Sequence, residues 1–354
     1  MKVTRAIKLF FCFLAISILS NCSQKTEKRE LFVDQFPVSK QLTSIPIGEI
    51  ENSIPSQIMV EDSLLIILNS RGEKFFQVYN KSNMKSIAEF GTKGEGPEEF
   101  NSPEFSGQIV QEKWGKYYLI FDWKKLQVNL LNLKESIRLN SSVFKSIKLP
   151  NRLSRTFRLV YYSDSLIITV PGGDGDDPGR FQIFKDSILG TIGYLPDLPF
   201  KVHEDNRYPM YANVSSAIHP EKHKFVATAT LLGQYDFFSF DGNYLHSTVV
   251  ERDEGLRKAA RAPTIFDEPV TFYHTQLIAK DSYIYSLYST STKEMKISKS
   301  KIHVLDWEGK PIKEYILDCS LLRFDLDLEN DAIYGLTYSN DKEERIHIVK
   351  FLIE

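Results

Sequence analysis

The chain has 354 residues, 42% of them hydrophobic and 25% charged, with a formal net charge of −2. That balance is ordinary for a globular protein, and no basic cluster or aromatic–basic interleaving points to nucleic acid. Of three cysteines, Cys12 and Cys22 lie at the extreme N-terminus and leave only Cys319 in the body of the chain, which excludes an intramolecular disulfide or a cysteine-based zinc site there.

A basic start (Lys2, Arg5, Lys8) leads into the apolar run Leu9–Leu19 and ends at Ser20, Asn21 and Cys22. The run is 11 residues long, suited to a signal peptide and short of the roughly 20 residues that span a bilayer. Residues 1–21 are therefore expected to be a lipoprotein signal peptide, with Cys22 the lipidated residue. Asn21 stands where a small residue is usual; the alternative is an ordinary signal peptide cleaved nearby, with Cys22 incidental. Loss of the signal removes three cations and no acid, so the mature chain lies near −5. Residues 22–37 continue after Cys22 with Ser23, Gln24, Lys25, Thr26, Glu27, Lys28, Arg29 and Glu30, a polar tether too poor in apolar groups to fold alone. No later segment is long and apolar enough to cross a membrane, so contact with the membrane is expected through the lipid alone. The default placement is the periplasmic side of the outer membrane, with the cell surface as the alternative.

From residue 38 the apolar pattern is that of short strands, with almost no helical periodicity. Leu64–Leu68, Phe75–Tyr79 and Ser86–Phe90 follow one another across polar turns, and Tyr117–Phe121, Gln127–Leu131 and Val143–Leu149 repeat the arrangement. A strand, a short acidic or polar turn and a strongly apolar strand recur at Val60–Leu65, Tyr162–Ile168, Ile218–Val226, Ala279–Tyr285 and Leu328–Tyr334, with a weaker copy at Glu112–Tyr118. Six copies spaced by roughly 45–60 residues predict a six-bladed β-propeller, an all-β fold of four-stranded blades. Phe240–Tyr244 and Asp306–Pro311 read as tight turns between third and fourth strands. The last group supplies only three strands before the chain stops. The segment around 40–47 is predicted to complete that blade and to close the ring, since an open edge invites aggregation.

Gly91, Gly94, Gly96, Pro97, Phe100 and Pro103 form a G-x-x-G-x-G-P-x-x-F-x-x-P junction. It resembles the junction of NHL-type propeller repeats, and the whole layout is similar to TolB-like six-bladed propeller lipoproteins of Bacteroidetes. Ile218–Glu221 likewise resembles an inner-strand turn of TolB-type blades. The resemblance implies a fold and an envelope setting; it carries no catalytic residues. The same glycines are followed by no Lys-Ser/Thr pair, so a phosphate loop is not expected and they are assigned to the crossing between blades. Neither a Gly-x-Ser-x-Gly elbow nor a Ser-x-x-Lys is present.

The long loops, 91–106, 170–180, 195–212, 251–270 and 289–300, all fall on one propeller face, which is predicted to be the working surface around the mouth of the central channel. On that face His203, Arg207, Tyr208, Arg252, Arg257 and Arg261 are the binding candidates, the arginines of 252–261 surrounding an expected short helix over 253–262. Asp174, Asp176 and Asp177, in a Gly- and Asp-rich tract, are the candidate calcium ligands, against a plain solvated turn. His219 and His223 flank Pro220 and are read as turn residues. The leading expectation is a monomeric, membrane-tethered, non-catalytic binding or scaffold module for an envelope protein or polymer. The alternative is a calcium-type hydrolase or lactonase with its site in the channel. A third reading is carbohydrate binding on Tyr208, Tyr211 and Tyr273.

Overall fold

Six sheets, each built on four antiparallel strands, are arranged in sequence order around a ring. The computed structural model describes residues 29–50, 54–70, 72–113, 115–153, 156–163, 166–171, 179–294, 297–338 and 345–353. Residues 1–21, Cys22, and Asp174, Asp176 and Asp177 lie outside them. The propeller belongs to the compact unit Leu31–Glu354. Its innermost strands are Pro55–Glu61, Pro103–Glu112, Thr156–Ser163, Asn213–His219, Phe272–Lys280 and Arg323–Asp327, in blades one to six.

The recurrent turn signal has a backbone cause. Asp62, His223, Asp281 and Asp331 sit between first and second strands with φ of 49°, 51°, 53° and 44°. This left-handed conformation is costly for most residues and tolerated by Asp, whose short side chain bonds locally. In blade two the second strand itself opens on Gly115, at φ 141°. Tight strand-to-strand turns therefore select the residues that the sequence repeats.

Stability resides between blades. Phe75, Phe76, Phe90, Phe100 and Tyr118 form one buried cluster at the junction of blades one and two. Phe181, Phe225, Phe238 and Phe240 form another between blades three and four, where the rings of Phe225 and Phe238 stack at 5.0 Å and Phe181 meets both edge-on. Gly91 has φ +81°, and a Cβ there would lie 2.6 Å from the Phe76 ring. The glycine-rich crossing is thus a packing device: Glu99 accepts from the Gly96 amide at 2.8 Å, and Lys125 Nζ donates to the carbonyls of Gly96 and Glu99.

The inner edges of the blades are latched by side chains. Gln57 Nε2 donates to the Phe105 carbonyl at 2.8 Å while its Oε1 accepts from the Phe105 amide at 2.6 Å. Gln108 clamps Tyr161 of the next blade in the same two-point way, and Gln276 clamps Phe324. Ser215 Oγ accepts from Leu277 N, and Asp325 Oδ2 accepts from Val60 N at 2.7 Å, closing the ring from blade six to blade one. A glutamine amide reproduces a peptide's donor and acceptor, so it satisfies an edge strand that would otherwise leave both unpaired.

Ring closure uses the N-terminal segment, as expected, with its residues divided differently. The strand Ile45–Ile50 is the outer strand of blade six, antiparallel to Ile346–Leu352. The preceding Ser39–Leu42 instead adds a fifth strand to blade five, parallel to Pro311–Leu317. Residues 30–37 are not wholly tether: Glu30–Phe32 joins the outer edge of blade four, and the Val33 amide donates to Val249 O. The N-terminal segment thus straps three successive blades.

Where the strap crosses from blade four to blade five, Phe36 stacks on the buried His303 at 4.6 Å. His303 Nδ1 meets the Tyr235 hydroxyl at 2.8 Å, and its Nε2 lies 3.5 Å from Glu314, whose backbone amide donates to Val38 O. Burial holds the imidazoles of His219, His246, His274 and His303 below the ordinary 6.5. The unfolded chain takes up protons near that pH which the folded chain refuses, so stability falls as the pH drops below it. Glu314 acts in the same direction at lower pH. Its contacts with His303 and Lys301 hold its carboxyl at about 2 against an ordinary 4.5, and the stability present above 4.5 is lost as pH falls toward 2. A melting temperature that declines from neutral pH into the acid range is expected, with a shallower slope in His303→Phe. Parallel slopes for the two proteins would show that His303 is not one of the groups responsible.

Candidate functional site

Each inner strand is entered from an interblade loop, so its first residues lie at the long-loop end of the channel. Loops 193–212 and 252–271 dominate that end and are built together. The helix Glu204–Tyr211 (α2 in chain order, after α1 at Leu133–Leu139) is capped by His203, whose Nδ1 accepts from the Asp205 amide at 3.4 Å. His203 N donates to Ala260 O across the loops. Asn206, 2% exposed, donates to the carbonyls of Ala260 and Ala262 and accepts from Ile265 N at 3.0 Å. Met210, Tyr211, Leu256, Ala259, Ala260 and Ile265 pack beneath as a small apolar core. Asp253 is a loop staple, accepting from Gly255 N and Thr271 N at 2.8 and 2.7 Å. Two loops that read as irregular in sequence therefore form one packed cap.

Arg180 anchors that cap to the ring. Its Nη1 donates to Asp236 Oδ2 at 2.6 Å and to the Leu195 carbonyl, with both charged side chains fully buried. Asp236 Oδ1 also accepts from Gln234 Nε2 and Ser247 Oγ. The guanidinium lies 5.2–5.5 Å from the ring centres of Phe181, Tyr211 and Phe238. Tyr211 closes the set by donating to Pro196 O, and burial raises its phenol.

The binding candidates divide in three ways. Arg207, Arg257 and Arg261 are exposed on the cap. The expected helix over 253–262 is shorter, Leu256–Ala259, because Asp253 and Gly255 are committed to the loop turn before it. Tyr208 donates to Pro171 O at 3.4 Å, and Arg252 lies over the Phe32 ring at 5.0 Å, so both partly serve the fold. His203 is a helix cap. The carbohydrate reading does not survive for Tyr211 and Tyr273, which are 4% and 1% exposed. His219 ends a strand and stands edge-on to Trp307, and His223 is the left-handed turn residue described above. Among the described residues no group of three His, Cys, Asp or Glu is placed to hold a metal ion. Cys319 is free and half-buried, and burial raises its thiol pKa.

Below the cap, the inner strands enclose a channel cavity of about 600 Å³. Its charged lining comprises Lys116, Arg158, Lys280 and Arg323 with Glu61, Glu104 and Asp325. Lys116 pairs with Glu61, and Lys280 lies 3.6 Å from Asp325, whose carboxyl is raised by burial. Arg158 and Arg323, from blades three and six, were not singled out by sequence reasoning. Each is a lone cation near the start of a short strand, a signal that many surface strands share.

Residues 34–192 match the family model of the TolB-like 6-blade propeller. The chain is a six-bladed β-propeller, and this segment of it is similar to the TolB-like family. Comparison with curated proteins gives no match. Among solved structures, the chain is similar to a protein of Bacteroides fragilis described as exported, with 14% identity over 91% of this chain and 97% of that one, at a TM-score of 0.51. It is also similar to a member of the DUF4221 family from Bacteroides vulgatus, with 11% identity over 90% and 98% of the two chains, at a TM-score of 0.55. At these identities the likeness is one of fold. No helix among the described residues of this propeller is long and apolar enough to cross a membrane.

Proposed function

We propose that this propeller is an exported binding module that takes an envelope protein or polymer on its long-loop face. The observation that carries the reading is the cap: loops 193–212 and 252–271 are locked by Asn206 and a private apolar core, yet present Arg207, Arg257 and Arg261 outward. Ordering loops in advance lowers the entropic cost of binding, which is what a recognition surface needs. Export is supported by the signal-like residues 1–21 and by the description of the Bacteroides fragilis neighbour. Anchoring through Cys22, on the periplasmic side of the outer membrane, is part of the same proposal.

The test is crosslinking in the native envelope with the triple variant Arg207→Ala, Arg257→Ala, Arg261→Ala. Exposed substitutions away from caps and cores change stability by about 0.5 kcal/mol or less each, so the melt should hold. The partner band given by the wild type is expected to disappear. A band of equal strength in the folded variant overturns the cap as the docking surface.

A further inference from the structure

The channel mouth holds two guanidinium groups that no carboxylate pairs with among the described residues. Arg158 is the third residue of the inner strand of blade three, and Arg323 opens the inner strand of blade six. In a ring of six these blades face each other across the axis, and both side chains line the same cavity. The Arg158 side chain makes no hydrogen bond or ion pair among the described residues, and Arg323 Nη1 donates only to the Leu322 carbonyl, at 2.7 Å. Burial, followed by the charge of Arg158, holds the Arg323 guanidinium below its ordinary pKa, with Glu104 opposing. The same Arg323 charge adds to burial in depressing His274 of blade five.

Much of the surrounding wall is already committed. Gln57, Gln108 and Gln276 spend both ends of their amides on the neighbouring blade, Ser215 accepts from Leu277 N, and the Thr275 hydroxyl meets that of Thr228 at 2.6 Å. The other two cations of the cavity, Lys116 and Lys280, have the acidic neighbours Glu61 and Asp325. What remains is a pair of like charges, partly removed from water, with only Glu104 nearby to offset them. Such an arrangement is unfavourable in the empty protein and becomes favourable when an anion enters between the groups. The cavity, about 600 Å³, is of the size that small-molecule sites occupy.

We propose that the mouth of the channel is a binding site for a small organic anion, whose oxyanion group is clamped between Arg158 and Arg323. A carboxylate and a phosphoryl group both present paired oxygens to a guanidinium fork, and that shared chemistry is what the site selects. The site is separate from the cap surface and does not depend on a macromolecular partner.

The experiment is calorimetric titration of the purified mature protein with inorganic phosphate and, separately, with succinate, at fixed ionic strength. Saturable one-to-one binding of at least one probe is expected, and the probe preferred tells a phosphoryl ligand from a carboxylate. Arg158→Gln and Arg323→Gln should each weaken it by about tenfold or more, the loss expected for a charge-assisted, two-point contact. In anion-free buffer Arg323→Gln should melt at or above the wild-type temperature, because it relieves repulsion. Absence of saturable binding by both probes overturns the proposal. So does binding that survives both substitutions, and so does a lower anion-free melt for Arg323→Gln, which would make that arginine a structural group.

Discussion

Deletion of residues 38–48 is expected to abolish the cooperative melt or lower its midpoint by roughly 10 °C or more, on the scale by which about 1 kcal/mol moves a large domain by 2–4 °C. The segment contributes the extra strand on blade five and most of the closing strand on blade six. It carries Leu42, 5% exposed in the cluster that joins Tyr315, Leu317, Phe324 and Phe351. It also carries Ser44, whose amide and hydroxyl both bond the Asp318 carboxylate at 3.1 Å. Leu42→Ala alone should cost about 2–5 kcal/mol, the range for emptying a packed aliphatic site. The deletion adds a bare edge along Ile346–Leu352, so the variant should also aggregate on warming. Thermal melts followed by light scattering check both outcomes; an unchanged melt would show that the ring closes without the strap.

Asp236→Ala is expected to destabilise the protein by about 3–5 kcal/mol, because it leaves Arg180 charged and buried without its partner. Arg180→Met should cost a comparable amount, stranding Asp236 with only Gln234 and Ser247 as donors. The double variant Arg180→Met, Asp236→Leu should recover much of the loss, since two apolar side chains in an aromatic pocket carry no unpaired charge. Urea unfolding of the four proteins in a mutant cycle measures the coupling. Strictly additive losses would mean that the two groups stabilise independently. Arg180 contacts Leu195 and Tyr211 as well, so its loss should also loosen the cap and shows that the cap and the junction of blades three and four are one device.

How far the sequence foretells this structure depends on whether the determining forces are local. The turn residues Asp62, Asp281 and Asp331 were legible because a left-handed backbone selects side chains at one position. The blade count followed from their recurrence, and the need for a closing strand followed from three strands in the last group. The fate of Ser39–Leu42 did not follow. Four residues of alternating character fit any exposed edge, and only the position of Ser44 beside Asp318 sends them to blade five before the chain turns to blade six. Likewise the 251–270 loop was recognisable as long and charged, but Asn206, which locks it to its neighbour, is indistinguishable in sequence from any asparagine in a polar loop.

The sequence by itself determined the architecture of this protein: short strands, a repeated turn, a six-fold count and a face with long loops. These rest on backbone conformation and apolar alternation, which act over a few residues and leave a periodic trace. The tertiary structure alone decided the site groups. Arg158 and Arg323 meet at one channel because opposite blades of a ring converge on its axis. Arg180 finds Asp236 across 56 residues because adjacent blades bury the charge between them. Pairing of this kind depends on closure of the whole ring, and so leaves no trace in any local stretch of chain.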